Sequence, residues 1–243
     1  MTLEEFSNGF DVLVDSYRRF VDFDNKVPTD TIEFNEYEKS FYLTKSQEEL
    51  VLSLYNGKNV FGDSFELTEE MRRHLSDLVS EVRLFPTENS TGILGLGSNS
   101  RFFTLPENLW FITYEQAVID NGKCEGMTTM NVVPARQDEY QKLRNNPFRG
   151  ANDRRCLRFD LSEGVIEIVS KYNVIEYYVR YLRKLKPIIL EEMPDEASIG
   201  GITKATPCEL HEGLHQLILE RAIAMALQSK GIGISSQTKK EEK

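Results

Sequence analysis

Two histidines four residues apart, His211 and His215 in the string HEGLH, form the one catalytic metal motif in this sequence. On a helix, positions i and i+4 share a face, so both imidazoles could hold one zinc ion while Glu212 polarises its bound water. The surroundings argue against this. Thr206 and Pro207 put the string in the first turns of a helix, where the partial positive charge of the helix start disfavours a cation, and Gly213 loosens the same turn. A third ligand is also missing. Ile218 stands where a metzincin continues its histidine series, Glu220 is too near on the same helix, and His74 is far away in the chain. The expectation is two partly exposed helix-surface histidines, replaceable with little loss, in a protein that is not an enzyme and needs no cofactor. A zinc metallopeptidase acting through His211, Glu212 and His215 is the alternative.

Other chemistry is weaker still. The glycine-rich stretch Gly92 to Ser100 (GILGLGSNS) has neither G-x-G-x-x-G nor a P-loop lysine and reads as a surface loop. No G-x-S-x-G nucleophile elbow occurs. Two basic clusters remain: Arg149, Arg154, Arg155 and Arg158, then Arg180, Arg183, Lys184 and Lys186. On an alternating strand, Arg180, Lys184 and Lys186 would share one face and Tyr177, Val179 and Tyr181 the other. The plain reading of these charges is a solvated face. The functional reading is an interface, made by Arg149, Arg154, Arg155, Arg180, Lys184 and Lys186 with a neighbouring subunit's acidic surface or with passing DNA.

Composition limits the partners. Lys and Arg total 29 against 39 Asp and Glu, a formal charge of −10, so the overall field repels nucleic acid. Three widely spaced cysteines, Cys124, Cys156 and Cys208, suggest neither a disulfide framework nor a metal knuckle and point to a reducing compartment. No apolar run reaches the ~18 residues of a membrane span, and the acidic opening MTLEEFSNGF does not read as a signal peptide.

The elements that would position these residues follow from periodicity and capping. Thr2 with Glu5 is a capping box opening an amphipathic helix over residues 3–21. Residues 31–43 read as an irregular connector, Thr44 with Gln47 as a second box opening a helix that Gly57 ends, and Thr68 as the cap of a third. Residues 86–108 suit loops and edge pieces. Strands are expected at 109–119, 127–133, 156–161, 165–169 and 175–185, with turns at Asn121-Gly122 and Ser162-Glu163-Gly164 and a short helix over 136–145. Thr206, Pro207 and Glu209 make a third capping box, opening a long helix over 207–229 with Leu210, Leu214, Leu217 and Ile218 on its apolar stripe. The fold class expected is α+β: a bundle of the N-terminal helices and the long C-terminal helix, with a small antiparallel β element inserted between them. The corresponding domains are 1–85, a β-rich insertion 86–205, 206–230 completing the bundle, and a flexible tail 231–243.

Several stretches taken together resemble a known family. Glu38-Lys39-Ser40, Leu43 to Glu49, Phe65-Glu66, Asn146-Pro147-Phe148-Arg149, Tyr181 with Lys186-Pro187-Ile188, and the segment Thr206 to Ala226 are similar to ring proteins of crAss-like short-tailed bacteriophages, over about residues 30–230. The resemblance implies a structural virion protein: a head–tail connector or tail-ring subunit, made in the host cytoplasm. It would assemble as a ring, commonly of twelve copies, between portal and tail. Its implied partners are copies of itself, the portal protein, other tail ring proteins and the genomic DNA passing through, with no membrane. Such a ring is head to tail, so each subunit presents two different faces to its neighbours. Negative charge suits a DNA channel, because repulsion lets the genome slide. A non-virion assembly chaperone is a further alternative.

Overall fold

A computed structural model describes residues 1–25, 33–58, 68–87, 99–120, 122, 126–161 and 164–230. Most of the glycine-rich stretch, Asn121, Ser162-Glu163 and the tail 231–243 lie outside them. In chain order the elements are α1 (Leu3–Asn25), α2 (Glu36–Asn56), α3 (Glu69–His74), β1 (Val79–Leu84), β2 (Arg101–Thr104), β3 (Leu109–Asp120), β4 (Met127–Pro134), α4 (Tyr140–Arg144), β5 (Arg155–Asp160), β6 (Val165–Val169), β7 (Asn173–Arg183) and α5 (His215–Ser229). Short 3-10 turns lie at Ser76–Leu78, Gln137–Glu139, Asp195–Ala197 and Glu212–Leu214. The chain divides into two compact units, Met1–Leu78 with Leu185–Lys243, and Val79–Lys184.

In the helical unit, α1, α2 and α5 pack on one another. The Thr2–Glu5 capping box forms as expected, with Thr2 N–H donating to Glu5 Oε2 at 2.8 Å and Glu5 N–H to Thr2 Oγ1 at 3.2 Å. From it α1 buries Phe6, Phe10 and Val14 at helical spacing. Helix α2 departs from expectation. It starts at Glu36, because Asn35 and Glu38 make the reciprocal cap, and only its end at Gly57, with φ 71°, is where it was expected.

Thr44 and Gln47 therefore sit inside α2, where they do other work. Ser40, Thr44 and Gln47 lie on one face and hold the extended segment Lys186–Leu190. Ser40 Oγ accepts from Leu190 N–H at 3.0 Å, Thr44 Oγ1 from Ile188 N–H at 3.0 Å, and Gln47 Nε2 donates to Lys186 O at 2.6 Å. An isolated extended segment has no ladder of its own. These three side chains satisfy backbone groups while Ile188 and Ile189 go fully into the core.

The C-terminal helix is also corrected. Thr206 does not cap a helix, since it exchanges both backbone hydrogen bonds with Ile189 in a bridge at 3.0 Å. Glu209 faces Lys186, with Oε1 3.1 Å from its ammonium. The helix begins only at His215, behind a 3-10 turn, and carries Ile218, Leu219, Ala222, Ile223, Ala226 and Leu227 into the core.

The second unit overturns the small antiparallel β element. It is a seven-stranded mixed sheet in the order β1-β7-β3-β4-β5-β6-β2, with β4 and β5 parallel and every other pair antiparallel. Of the two edges, β1 is not among the expected strands, and β2 falls within the 86–108 stretch expected to hold only loops and edge pieces. The sheet curls because β3 and β7 are long and irregular: their register shifts between Leu109 and Phe111, Ile112 and Tyr114, and Val118 and Ile119. Each shift adds a residue on one strand and increases local twist.

The curl lets all seven strands feed one interior cluster, which includes Val82, Phe103, Ala117, Met130, Cys156, Ile168 and Tyr177. Beyond β1, Thr87 donates its N–H to Phe102 O of β2 at 3.0 Å, so the chain leaving one edge strand bonds to the other. On the outer surface α4 covers β5 and β6 through Tyr140, Leu157, Phe159 and Val169.

Candidate functional site

The HEGLH string does not form the helical pair that the zinc motif needs. His211 precedes the helix and caps the 3-10 turn, its Nδ1 accepting from Gly213 N–H at 3.2 Å. His215 is 5 % exposed instead of lying on the surface. Its Nε2 is 2.9 Å from Leu210 O, its Nδ1 2.7 Å from the Met1 amine, and its ring packs on Phe6. Both of its nitrogens are thus engaged. His74 does come close to His211, with ring centroids 5.6 Å apart, yet among the described residues no group of three His, Cys, Asp or Glu could hold a metal ion.

The two histidines are therefore not equivalent. Burial holds the His215 pKa below its usual value, assisted by the nearby Met1 amine and opposed by the Leu210 carbonyl. Its neutral form is the native one, so this stability is complete above the unfolded pKa of about 6.5 and is lost as pH falls through it. Urea unfolding from about pH 7.5 down to about pH 5 should show a loss that His215→Phe reduces. At neutral pH, His215→Ala should cost about 1–3 kcal/mol, and His211→Ala, which removes one exposed cap, no more than about 1 kcal/mol.

The basic residues separate into three groups. Arg158 is not on a solvated face. It points into the curled sheet, where its guanidinium pairs with Glu115 and, at 2.9 Å, with Asp160, while Tyr177 donates its hydroxyl to Glu115 Oε2 at 2.8 Å. Arg158 and Glu115 side chains are 10 % and 9 % exposed. Burial raises the Glu115 pKa above the usual carboxylate range although Arg158 pulls it down, and burial beside Glu115 pushes the Tyr177 pKa far up.

Arg180, Lys184 and Lys186 do not share a strand face. β7 ends at Arg183, Lys184 lies beyond it, and Lys186 belongs to the helical unit, paired with Glu209. Arg180 stands 3.9 Å from Glu81 on β1.

Arg149 and Arg154 lie on the loop between α4 and β5, and Arg155 opens β5. Asn146 Oδ1 accepts the N–H groups of Phe148 and Arg149 at 2.9 and 3.1 Å, and Gly150 N–H donates to Asn146 O at 2.8 Å. Arg155 is half-buried and donates from Nη1 to Phe148 O at 3.0 Å, while Arg149 and Arg154 are exposed. Gly150 is required by close approach: a Cβ there would stand 2.4 Å from Leu143 O. This bracing holds Phe148 in solvent, 83 % exposed, the largest exposure among the large apolar side chains described. The Asn-Pro pair signals the turn in the sequence, but the display of Phe148 needed the structure.

The helical unit carries surface features of its own. On α2, Tyr37, Phe41 and Leu52 are exposed along one stripe. Between the start of α1, the start of α2 and the segment near Leu190 lies an open pocket lined by Leu3, Glu4, Ser7, Asn8, Glu36, Leu190 and Glu191. Glu36 and Asp11 are engaged by the buried ammonium of Lys39 at 2.8 and 2.7 Å. Glu4 and Glu191 are exposed and in no ion pair among the described residues.

Comparison with known proteins gives this surface a context. The family model described as phage tail ring protein 3/4 matches residues 1–239. "Ring protein 3" of Bacteroides phage crAss001 is 42 % identical over 233 residues, covering 95 % of this chain and 96 % of that protein. "Ring protein 4/5" of the same phage is 28 % identical over 235 residues, covering 93 % and 92 %. Described helices of this chain are too short or too polar to cross a membrane, its histidines do not build a peptidase centre, and its matches are structural proteins along nearly their whole length: the chain belongs to the phage tail ring protein 3/4 family, as a structural ring protein of the crAss-like phage tail.

Proposed function

We propose that this protein closes head to tail into a ring of twelve copies in the head–tail connector, joins the portal to the tail, and forms part of the channel through which DNA is ejected. The observation that carries this reading is the near end-to-end match to two ring proteins of one phage. The higher identity to Ring protein 3 favours that position in the stack over the ring 4/5 position. The charge of −10 supports a channel wall that does not retain DNA. Arg149 and Arg154, exposed on a braced loop, are the basic residues best placed to meet the acidic surface of a neighbouring copy.

Mass photometry and negative-stain imaging of the purified protein, alone and with its portal protein, should give closed rings. A protein that stays monomeric in both cases would remove the reading. Mass spectrometry of purified virions should find it at ring-like copy number, whereas an assembly chaperone would be absent from mature particles.

A further inference from the structure

We propose that Phe148 and Arg149 form a knob that inserts into the acid-rimmed pocket of a second copy of this chain, the pocket lined by Leu3, Glu4, Leu190 and Glu191. The inference rests on the head-to-tail ring and names the contact that closes it. Phe148 is costly to leave in water, and here it is not left there by disorder. Two backbone donations to Asn146 Oδ1, the Arg155 bond to its carbonyl and the close fit of Gly150 all fix the loop backbone that carries it. A loop main chain held by dedicated bonds has already given up much of the freedom that docking would take, which favours binding.

Its chemistry is that of an interface anchor: an aromatic ring with Arg149 beside it and Arg154 on the same loop. The pocket has the complementary character. Leu3 and Leu190 supply a partly exposed apolar floor, Glu4 and Glu191 stand at the rim in no ion pair with a described residue, and Glu36 is fixed below by Lys39 and by Ser7, which donates to it at 2.9 Å. A ring packed apolar against apolar, with arginine meeting two carboxylates around it, satisfies groups that each copy alone leaves to solvent. Knob and pocket are different surfaces, which is what a head-to-tail contact requires and a two-fold contact does not.

Charge reversal tests the pairing. Phe148→Ala and Arg149→Glu should each raise the protomer concentration needed for half assembly by about ten-fold or more. Far-ultraviolet circular dichroism, and thermal melts taken at protomer concentrations too low for assembly, should stay as in the wild type, because both side chains are exposed. Glu191→Arg should weaken assembly similarly. An equimolar mixture of the Arg149→Glu and Glu191→Arg proteins should restore rings, since each knob then meets an opposite charge on its neighbour.

If the wild-type protein forms rings and the single variants assemble as it does, the knob is wrong while the ring reading stands. If the knob variants fail but neither the mixture nor an Arg149→Glu/Glu191→Arg double variant recovers, the knob docks on a different surface or partner and the pocket assignment is overturned. If the wild type forms no ring at all, the underlying reading has failed instead.

Discussion

Replacing Arg158 with leucine is expected to destabilise the curled-sheet unit by about 3–5 kcal/mol, because it leaves the Glu115 carboxylate buried without a counter-charge. The guanidinium is the cation that Glu115 meets inside the sheet, and the Tyr177 hydroxyl satisfies only the other carboxylate oxygen. Leucine is smaller and apolar, so lost packing adds to the loss of charge pairing. The double variant Arg158→Leu/Glu115→Leu should recover most of this, since two apolar groups replace two charges that no longer need desolvating. Recovery should be incomplete, because Tyr177 then loses its acceptor.

Acidity separates this mechanism from simple loss of packing. In Arg158→Leu the Glu115 pKa should rise further above its unfolded value, so the neutral carboxyl becomes the native form. A group with a raised folded pKa stabilises most below its unfolded pKa and loses that contribution as pH rises through the folded one. The deficit of Arg158→Leu relative to the wild type should therefore shrink as pH falls toward about 5. A deficit constant with pH in urea unfolding would mean that Arg158 acts through packing alone. Arg180→Leu is the control: its partner Glu81 stands at 3.9 Å on an exposed edge, and the change should cost less than about 1 kcal/mol.

Arg158 also marks where sequence reading stopped. Placed among Arg149, Arg154 and Arg155, it is one more basic residue in a run, and nothing local distinguishes it. What makes it internal is parity with Cys156 on a strand whose inner face is enclosed, and enclosure depends on strands distant in sequence. For the same reason the strands were mostly legible and the sheet was not. β3, β4, β5, β6 and β7 announce themselves through alternation and turn residues. β1 and β2 are short, and half of β1 is polar, so each becomes a strand only when a partner is already in place. The number of strands and the bulges that curl them are properties of pairing.

Helix starts were misread for a different reason. Thr44 with Gln47, and Thr206 with Glu209, have the letters of a capping box, but hydroxyl, carboxamide and carboxylate groups satisfy whichever backbone group is near. In the fold Thr44 and Gln47 bind the backbone of Lys186–Leu190, and Thr206 is held in a bridge with Ile189. Asn35 with Glu38 is the cap that operates. The resemblance quoted Ser40, Thr44, Gln47, Lys186 and Ile188 as separate stretches of sequence. The structure places them in a single motif, helix α2 gripping an extended segment. At the candidate interface, the Arg149 and Arg154 charges were visible in the sequence, whereas the exposure of Phe148 next to Arg149 was not, since an isolated Phe in a polar loop is read as core by default.

A charge introduced at Leu214 or Ile218 is expected to abolish folding of the helical unit. Both side chains are fully buried, one in the turn that leads into α5 and the other one helical turn later, where the Ile218 carbonyl also accepts the Ser46 hydroxyl of α2 at 2.7 Å. Truncating such a side chain costs about 2–5 kcal/mol, and desolvating a carboxylate adds several more. The sum is comparable with the whole stability of a domain, about 5–15 kcal/mol. Leu214→Asp and Ile218→Asp should therefore be insoluble or lack a cooperative thermal transition. Leu217, which shares the apolar stripe in the sequence but is only half-buried, sets the scale: Leu217→Asp should remain folded with a lower melting temperature. A Leu214→Asp protein that melts within a few degrees of the wild type would mean that α5 can detach from α1 and α2 without unfolding them. In that case the helical unit would be held by the grip of α2 on Lys186–Leu190 and not by its C-terminal helix.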